Sequence, residues 1–447
     1  MTRLIFWCTV SALLLPPAVR AQDTTRVQPP TRVITLNDAI RIALAQNSTV
    51  RFARNTTLLD SLSVQQARNN FLPNLSASTS TSQGFGAGSQ GSNSLAISGG
   101  LSSGVTLYNG GQNRNLLRQA ELTQRASTSE LARSRQTVVF VVASDFLALI
   151  TQQEQLRVQQ ENLTAQEQEL TQLEQFVKAG TRPIGDLYQQ QAAVASTRLA
   201  VVNARRAAER AKVDLIEELV LDPRLDYTFD APPSEGSTSK LPAFNLDSLI
   251  DVALAQRVDV QAQALRVQAA EREIAIASAG HSPVVTASAG YSTAYNSAND
   301  AAFAAQLNQR RGGSIGVGVS VPILDRGATS IAKQRAQIQL ENELLSLRDE
   351  HQAVALEVRR AYLDYLAAQE QVAASDAQQR AAALALEAAQ ARYRVGLATF
   401  VEVTIARASL IQAQSALVSA RSAVVFQQAL MSYYTGVLDP TNVRLGG

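Results

Sequence analysis

Residues 314–325 read SIGVGVSVPILD, with Ile315, Val317, Val319, Val321 and Ile323 on one parity and Gly316, Gly318 and Ser320 on the other. A period of two is the signature of a β-strand with one apolar face and one small, polar face. Residues 284–295 repeat the pattern, setting Val285, Ala287, Ala289, Tyr291 and Tyr295 against Thr286, Ser288, Gly290 and Ser292. Two more strands are predicted at about 74–86, through Leu75, Ala77 and Phe85, and at 95–108, through Leu95, Ile97, Leu101, Val105 and Leu107. Half-buried sheets of soluble proteins alternate in the same way, so the rest of the chain has to decide. Two hairpins supply four strands, too few to enclose an interior, and the helical segments are too polar to cover them. Strands of ~10–12 residues with apolar side chains outward fit a membrane barrel. Closure then requires several protomers, and three would give twelve strands around a lumen lined by Gly and Ser.

Working outward, the chain reads as a duplication. LNDAIRIALAQN (36–47) aligns with LDSLIDVALAQR (246–257), and the same spacing places Pro73 on Pro283. Gly111 matches Gly327 and Gly180 matches Gly396 at a spacing six residues longer. Several landmarks on one spacing mark two copies of one unit. The first is expected over 22–242: a hairpin at about 74–108, a long helix at 112–178, a return helix at 184–221 and a Pro/Ser/Gly-rich linker at 222–242. The second, over 243–447, holds a hairpin at about 284–325, a long helix at 328–394 and a return helix at 400–435.

A single helix over 112–178 is ~100 Å long, far beyond a compact globule. Leu149, Leu156, Leu163, Leu170 and Val177 recur every seven residues, which predicts coiled-coil packing. Val358, Tyr365, Val372, Leu386 and Tyr393 echo the repeat, interrupted by Gln379. An ordinary soluble coiled-coil rod, secreted and without a pore, explains the helices but not the hairpins.

The N-terminus reads as a secretory signal over 1–21: Arg3, an apolar run from Leu4 to Leu15, and Val19-Arg20-Ala21 as the cleavage site. A membrane anchor is the competing reading, but twelve apolar residues are too short for a helix to span ~30 Å of hydrocarbon. Cys8 is the one cysteine and lies inside that signal, which excludes a disulfide framework in the mature chain. The net charge of +2 from interspersed charges makes no case for nucleic acid.

With these features assembled, the sequence resembles the TolC and OprM group of outer-membrane efflux proteins along nearly the whole mature chain. Its most specific marker is ARYRVGLATFVEV (391–403), echoed as QFVKAGTRPIGDL (175–187). The resemblance implies an α+β homotrimer: a 12-stranded transmembrane β-barrel in outer-membrane lipid, continued by a periplasmic α-helical coiled-coil barrel. Segments 36–47, 222–257 and 427–447 would supply a mixed equatorial region. It implies a passive channel of a tripartite efflux or type I secretion system, with a periplasmic adaptor and an inner-membrane transporter as partners. The turns at Gly180, Thr181, Gly396, Leu397 and Thr399 would form the tip that docks the adaptor. Glu402, Asp186, Tyr393 and Arg182 would form the constriction there. The sequence departs from the family pattern at Ala398, where an arginine is usual, and at Ile405, where some members carry a second acid. On its own, Glu402 also reads as an acidic residue stabilising a helix N-terminus.

No enzyme is indicated. GAGSQG (86–91) satisfies G-x-G-x-x-G but lies between two strands and reads as an external loop. No phosphate-binding loop is present, so transport energy must come from a partner. His281 and His351 are far apart and no metal or other cofactor is expected. His281 is placed at a helix-to-strand junction, and Glu217 and Glu218 are read as solvated.

Overall fold

The computed structural model describes residues 33–84, 94–230 and 244–438. The proposed signal sequence, Phe85, the GAGSQG loop and the ends of the linker and chain lie outside these. The elements in order are β1 (Val33–Ile34), α1 (Leu36–Gln46), α2 (Ser48–Asn69), β2 (Asn74–Gly84), β3 (Ser94–Asn109), α3 (Gln112–Lys178), α4 (Ile184–Glu218) and β4 (Thr228–Phe229). Then follow α5 (Leu246–Gln256), α6 (Val258–Ser278), a 3-10 turn at Ala279–His281, β5 (Val284–Asn296), α7 (Phe303–Gln309), β6 (Gly312–Ser320), α8 (Ala328–Arg394) and α9 (Phe400–Tyr434). The two halves keep matched lengths: 67 residues in α3 and α8, and 35 in α4 and α9.

The four long strands form one antiparallel sheet in the order β2-β3-β5-β6, so the hairpins are joined through β3 and β5. The sheet is open, with β2 and β6 at its edges. Its register sorts the side chains by face. Ala77, Leu101 and Tyr291 share a row, as do Ala289 with Ile315 and Ala287 with Val317. On the other face Ser76 pairs with Ser102 and Ser80 with Ser98, their hydroxyls 2.8 and 2.7 Å apart. Apart from α7, which meets its far end, nothing described covers the apolar face: Ile315 is 91% exposed and Leu75 76%.

Three sequence expectations need correction here. β6 spans Gly312–Ser320 rather than 314–325, because β5 begins at Val284, opposite Ser320, and Pro322 has no N–H to extend the ladder. Val321 and Ile323 therefore lie beyond the strand. Leu107 does not continue the apolar row, because a bulge between Thr106 and Tyr108 pairs Tyr108 with Val285 instead. The segment expected as linker carries β4, which pairs in parallel with β1.

The helices α2, α3, α6 and α8 all meet the sheet at the same end, and α7 lies at the other. α2 and α4 both pack along α3, and α6 and α9 along α8. The heptad leucines form only part of the seam. Leu156, Leu163, Leu170 and Val177 are half-buried, whereas Val158, Gln166 and Leu173 are buried, because α3 is flanked by both α4 and α9. α3 holds an eighteen-residue window apolar enough to cross a membrane, with mean hydropathy 1.3. Its side chains are committed elsewhere: Val138, Val139, Val142, Phe146 and Leu149 form the main core with Ile34, Ile40, Leu215, Leu219 and Phe229. This core surrounds the β1–β4 pair at mid-length.

Each of the four long helices that end in a described turn closes in the same way. The residue after the cap is left-handed, and the next N–H bonds back five residues, as Thr181 to Phe176 and Leu397 to Arg392. Glycine fills that position at 180, 396 and 436, but Val220 fills it after α4, at φ 53°. A β-branched residue there is strained by roughly 1 kcal/mol. Val220→Gly is expected to raise the thermal midpoint of the purified protein, followed by helical circular dichroism. The reverse change, Gly436→Val, is expected to lower it, because a Cβ there would meet the Arg257 amide nitrogen at 3.2 Å.

Candidate functional site

The end of the molecule remote from the sheet brings the two helical turns together. Gly180 ends α3, and Pro183 supplies the fixed φ from which α4 starts, placing Asp186 in its first turn. Gly396 ends α8, and Thr399 caps α9 through a reciprocal capping box with Glu402, the two N–H contacts being 3.2 and 3.3 Å.

Three of the four expected constriction residues meet. The Tyr393 hydroxyl donates to Asp186 Oδ2 at 2.6 Å. The Arg182 guanidinium lies 4.1 Å from the centre of the Tyr393 ring, and its Nη2 donates to the carbonyls of Tyr393 and Arg394 at 2.8 and 3.1 Å. Burial, then the Asp186 hydrogen bond, push the Tyr393 hydroxyl well above the usual tyrosine range, so it stays a donor. Arg182 thus works from the first half on the last turn of α8, in a protein whose second half has Ala398 at the matching place.

Glu402 stands apart from this group. One oxygen serves the helix cap and the other faces Arg392 at 3.4 Å. Thr181 turns its hydroxyl onto the Phe176 carbonyl at 2.9 Å. Around these turns Phe176, Ile184, Tyr188, Val395, Leu397, Val401 and Ile405 are exposed, a concentration of apolar surface at one end. Beyond it, a cleft of about 460 Å³ among α3, α4 and α9 mixes polar side chains with Phe400, Val403 and Ile411. Gln166 donates to Thr197 at 2.9 Å and Gln190 to the Gln166 carbonyl at 2.8 Å, while Arg407 pairs with Glu169 across the cleft.

A second polar cluster escaped sequence reasoning. Arg257, only 4% exposed, sits at the α5–α6 break and holds Asp259 and Glu357, each at 2.6 Å. Arg133 of α3 reaches the same Asp259 at 3.1 Å and stacks on Tyr433. The available signal was Arg257 itself, which aligns with the helix-capping Asn47 when 36–47 is set on 246–257. Asn47 instead donates to Glu218 Oε1 at 2.8 Å. Burial, then the charge of Asp145, raise the pKa of Glu218, which is therefore not the freely solvated group expected. His281 lies at the junction before β5, as expected, 3.9 Å from Asp325. No cluster of potential metal ligands occurs among the described residues.

The profile of the family described as outer membrane efflux protein matches residues 39–219 and 249–436. The outer membrane protein TolC of Vibrio cholerae is 25% identical over 331 residues, covering 72% of this chain and 73% of that protein. The fold is shared with CusC (TM-score 0.80, 20% identity, 90% of this chain and 92% of that one). It is also shared with VceC of Vibrio cholerae (0.75, 19%, 90% and 96%) and the open state of the MtrE channel of Neisseria gonorrhoeae (0.75, 20%, 90% and 88%). Both halves fall within the profile, and the chain belongs to the outer membrane efflux protein family, channels of the outer membrane that reach into the periplasm and work with a periplasmic adaptor and an inner-membrane pump.

Proposed function

We propose that the chain is one third of a passive exit duct: three copies close a twelve-stranded barrel, and their helices form the periplasmic tube below it. What carries this reading is the open sheet, which has an apolar face exposed over most of its length, a hydroxyl-lined opposite face and two unpaired edges. Edges of that length are normally paired or protected, and β6 of one copy against β2 of the next satisfies both. The matched halves, read as a duplication of 22–242 and 243–447, then give the tube quasi-sixfold walls. The cargo is small molecules or protein segments, in an efflux or a type I secretion assembly.

At the periplasmic end, the apolar surface around Gly180, Thr181, Gly396, Leu397 and Thr399 is the docking site for the adaptor. Arg182, Tyr393 and Asp186 act as a latch that holds α4 against the end of α8 and keeps the entrance narrow. Glu402 and Asp186, set on the first turns of α9 and α4, would together place six carboxylates around the axis and favour cations. Planar-bilayer recordings test both assignments. The Arg182→Ala/Tyr393→Phe double variant is expected to conduct severalfold more than the parent, and an unchanged conductance would sink the latch. Glu402→Gln, which keeps the cap, is expected to weaken block by divalent cations. Unaltered block removes it from the constriction.

A further inference from the structure

The connection between β5 and β6 is built rather than slack. α7 lies against the apolar face of the sheet: the Phe303 ring is 4.9 Å from that of Tyr295, and Thr293 Oγ1 donates to the Leu307 carbonyl at 2.6 Å. Thr293 and Tyr295 stand opposite Gly99 and Ile97, on the apolar parity. Gln306, 1% exposed, locks the connection in place. Its Oε1 accepts from the Asn296 amide at 2.9 Å, and its Nε2 donates to the carbonyls of Asn299 and Ala301 at 3.1 and 2.7 Å.

This lock determines where the chain re-enters the sheet. Arg310 and Arg311 directly precede Gly312, which pairs with Ser292. Extending that register by one residue sets Arg311 beside Thr293. Across 74–109 and 284–320, both hairpins with their connections, the charged residues are Asp300, Arg310 and Arg311. Both arginines are exposed, and among the described residues neither guanidinium has a hydrogen-bond or ion-pair partner. Thr293 is nine residues along β5 from Val284, about 23 Å of height at ~3.3 Å per residue and a tilt near ~40°. That is the outer rim of an apolar band ~25 Å tall. Tyr295 and Phe303 accompany the arginines there, as aromatic side chains do at a lipid–water boundary.

We propose that Arg310 and Arg311 bind the phosphate groups of anionic lipid headgroups in the outer leaflet. Guanidinium groups match phosphate oxygens bidentately, and an unpaired cationic pair at headgroup height on the lipid-facing side is complementary to that chemistry. The inference rests on the barrel reading above.

The test uses the purified full-length oligomer in neutral detergent, titrated with lipid A and with phosphatase-treated lipid A, with binding read by thermophoresis. Wild type is expected to bind lipid A roughly thirtyfold more tightly than R310Q/R311Q, from the surface attraction of two arginines, and the difference is expected to vanish for the dephosphorylated lipid. R205Q/R206Q, which removes an equally exposed arginine pair on α4, is expected to bind as wild type. Equal binding by R310Q/R311Q, an equal loss in R205Q/R206Q, or no preference of wild type for the phosphorylated lipid would overturn the proposal. Single-channel conductance of wild type separates the two levels. A wild type that forms no pores refutes the duct, whereas a pore former whose lipid binding ignores the arginines refutes this site alone.

Discussion

Ile315→Arg is expected to be lost from the outer membrane, whereas Gly316→Arg, one residue along the same strand, is expected to remain. Ile315 lies in the row of Ala289, about 13 Å above the base of the sheet at ~3.3 Å per residue and a ~40° tilt, close to the middle of the apolar band. An arginine on the lipid face at that depth costs roughly 2–4 kcal/mol, and three copies multiply it to roughly 6–12 kcal/mol. That is comparable to the whole stability of many folded proteins, roughly 5–15 kcal/mol. Gly316 faces the other way, where an added Cβ would find Ser288 Oγ at an ordinary 3.8 Å, and its arginine would enter water. The heat-modifiable oligomer in outer-membrane fractions, measured by immunoblot, is expected to fall more than tenfold for the first variant and to persist for the second. The second should conduct cations less well, having gained a ring of positive charge. Equal amounts of both variants in the membrane would remove the lipid from the apolar face, and the barrel with it.

Arg257→Ala is expected to be the most damaging single change in the helical part of the molecule. It strips Asp259 and Glu357 of a guanidinium that meets both at 2.6 Å. Removing one partner of a largely buried pair leaves uncompensated charge, at a cost of about 3 kcal/mol once the partial exposure of Glu357 is allowed for. The loss should depend on pH. Burial tends to raise the pKa of Asp259, but its hydrogen bond to Arg257 and the charges of Arg133 and Arg257 prevail and lower it. A depressed carboxylate contributes stability that is present above its ordinary pKa, about 3.9, and is lost as pH falls through the folded value. In the variant much of that depression is gone, so protonation relieves the strain instead. Thermal melts should therefore show the full gap between wild type and variant near pH 7, and a gap that closes as pH falls below about 4. A gap independent of pH would mean that Arg257 acts through packing alone.

Different layers of this protein were legible to different degrees. The strands were visible because a period of two is written in adjacent residues, and their small-residue face needed no partner to be recognised. The ends of α3 and α8 were visible because Gly111, Gly180, Gly327 and Gly396 stand at matched positions and glycine is a local stop and start signal. The end of β6 was misjudged because Val321 and Ile323 keep the parity, while the partner strand that would accept them stops at Val284. Leu107 was misassigned because a bulge changes parity without any special residue to announce it. At the tip, Tyr393, Asp186 and Arg182 could be named by analogy, but not that one arginine would lie on the ring while the ring's hydroxyl reached the acid.

The sequence by itself determined that the chain is dominated by long helices and equipped with hairpins that are apolar on one side. These are properties of spacing among near neighbours, and local sterics enforce them wherever the chain goes. Only the tertiary structure decided that β3 joins β5 into one sheet, that Arg257 and Arg133 converge on Asp259, that Arg182 crosses to Tyr393, and that Gln306 anchors a helix on the apolar face of the sheet. Those outcomes depend on pairs of groups tens to hundreds of residues apart, or on a side chain meeting backbone in a loop. Register and ion pairing are selected by the packed whole, in which each partner's position is set by every element between them.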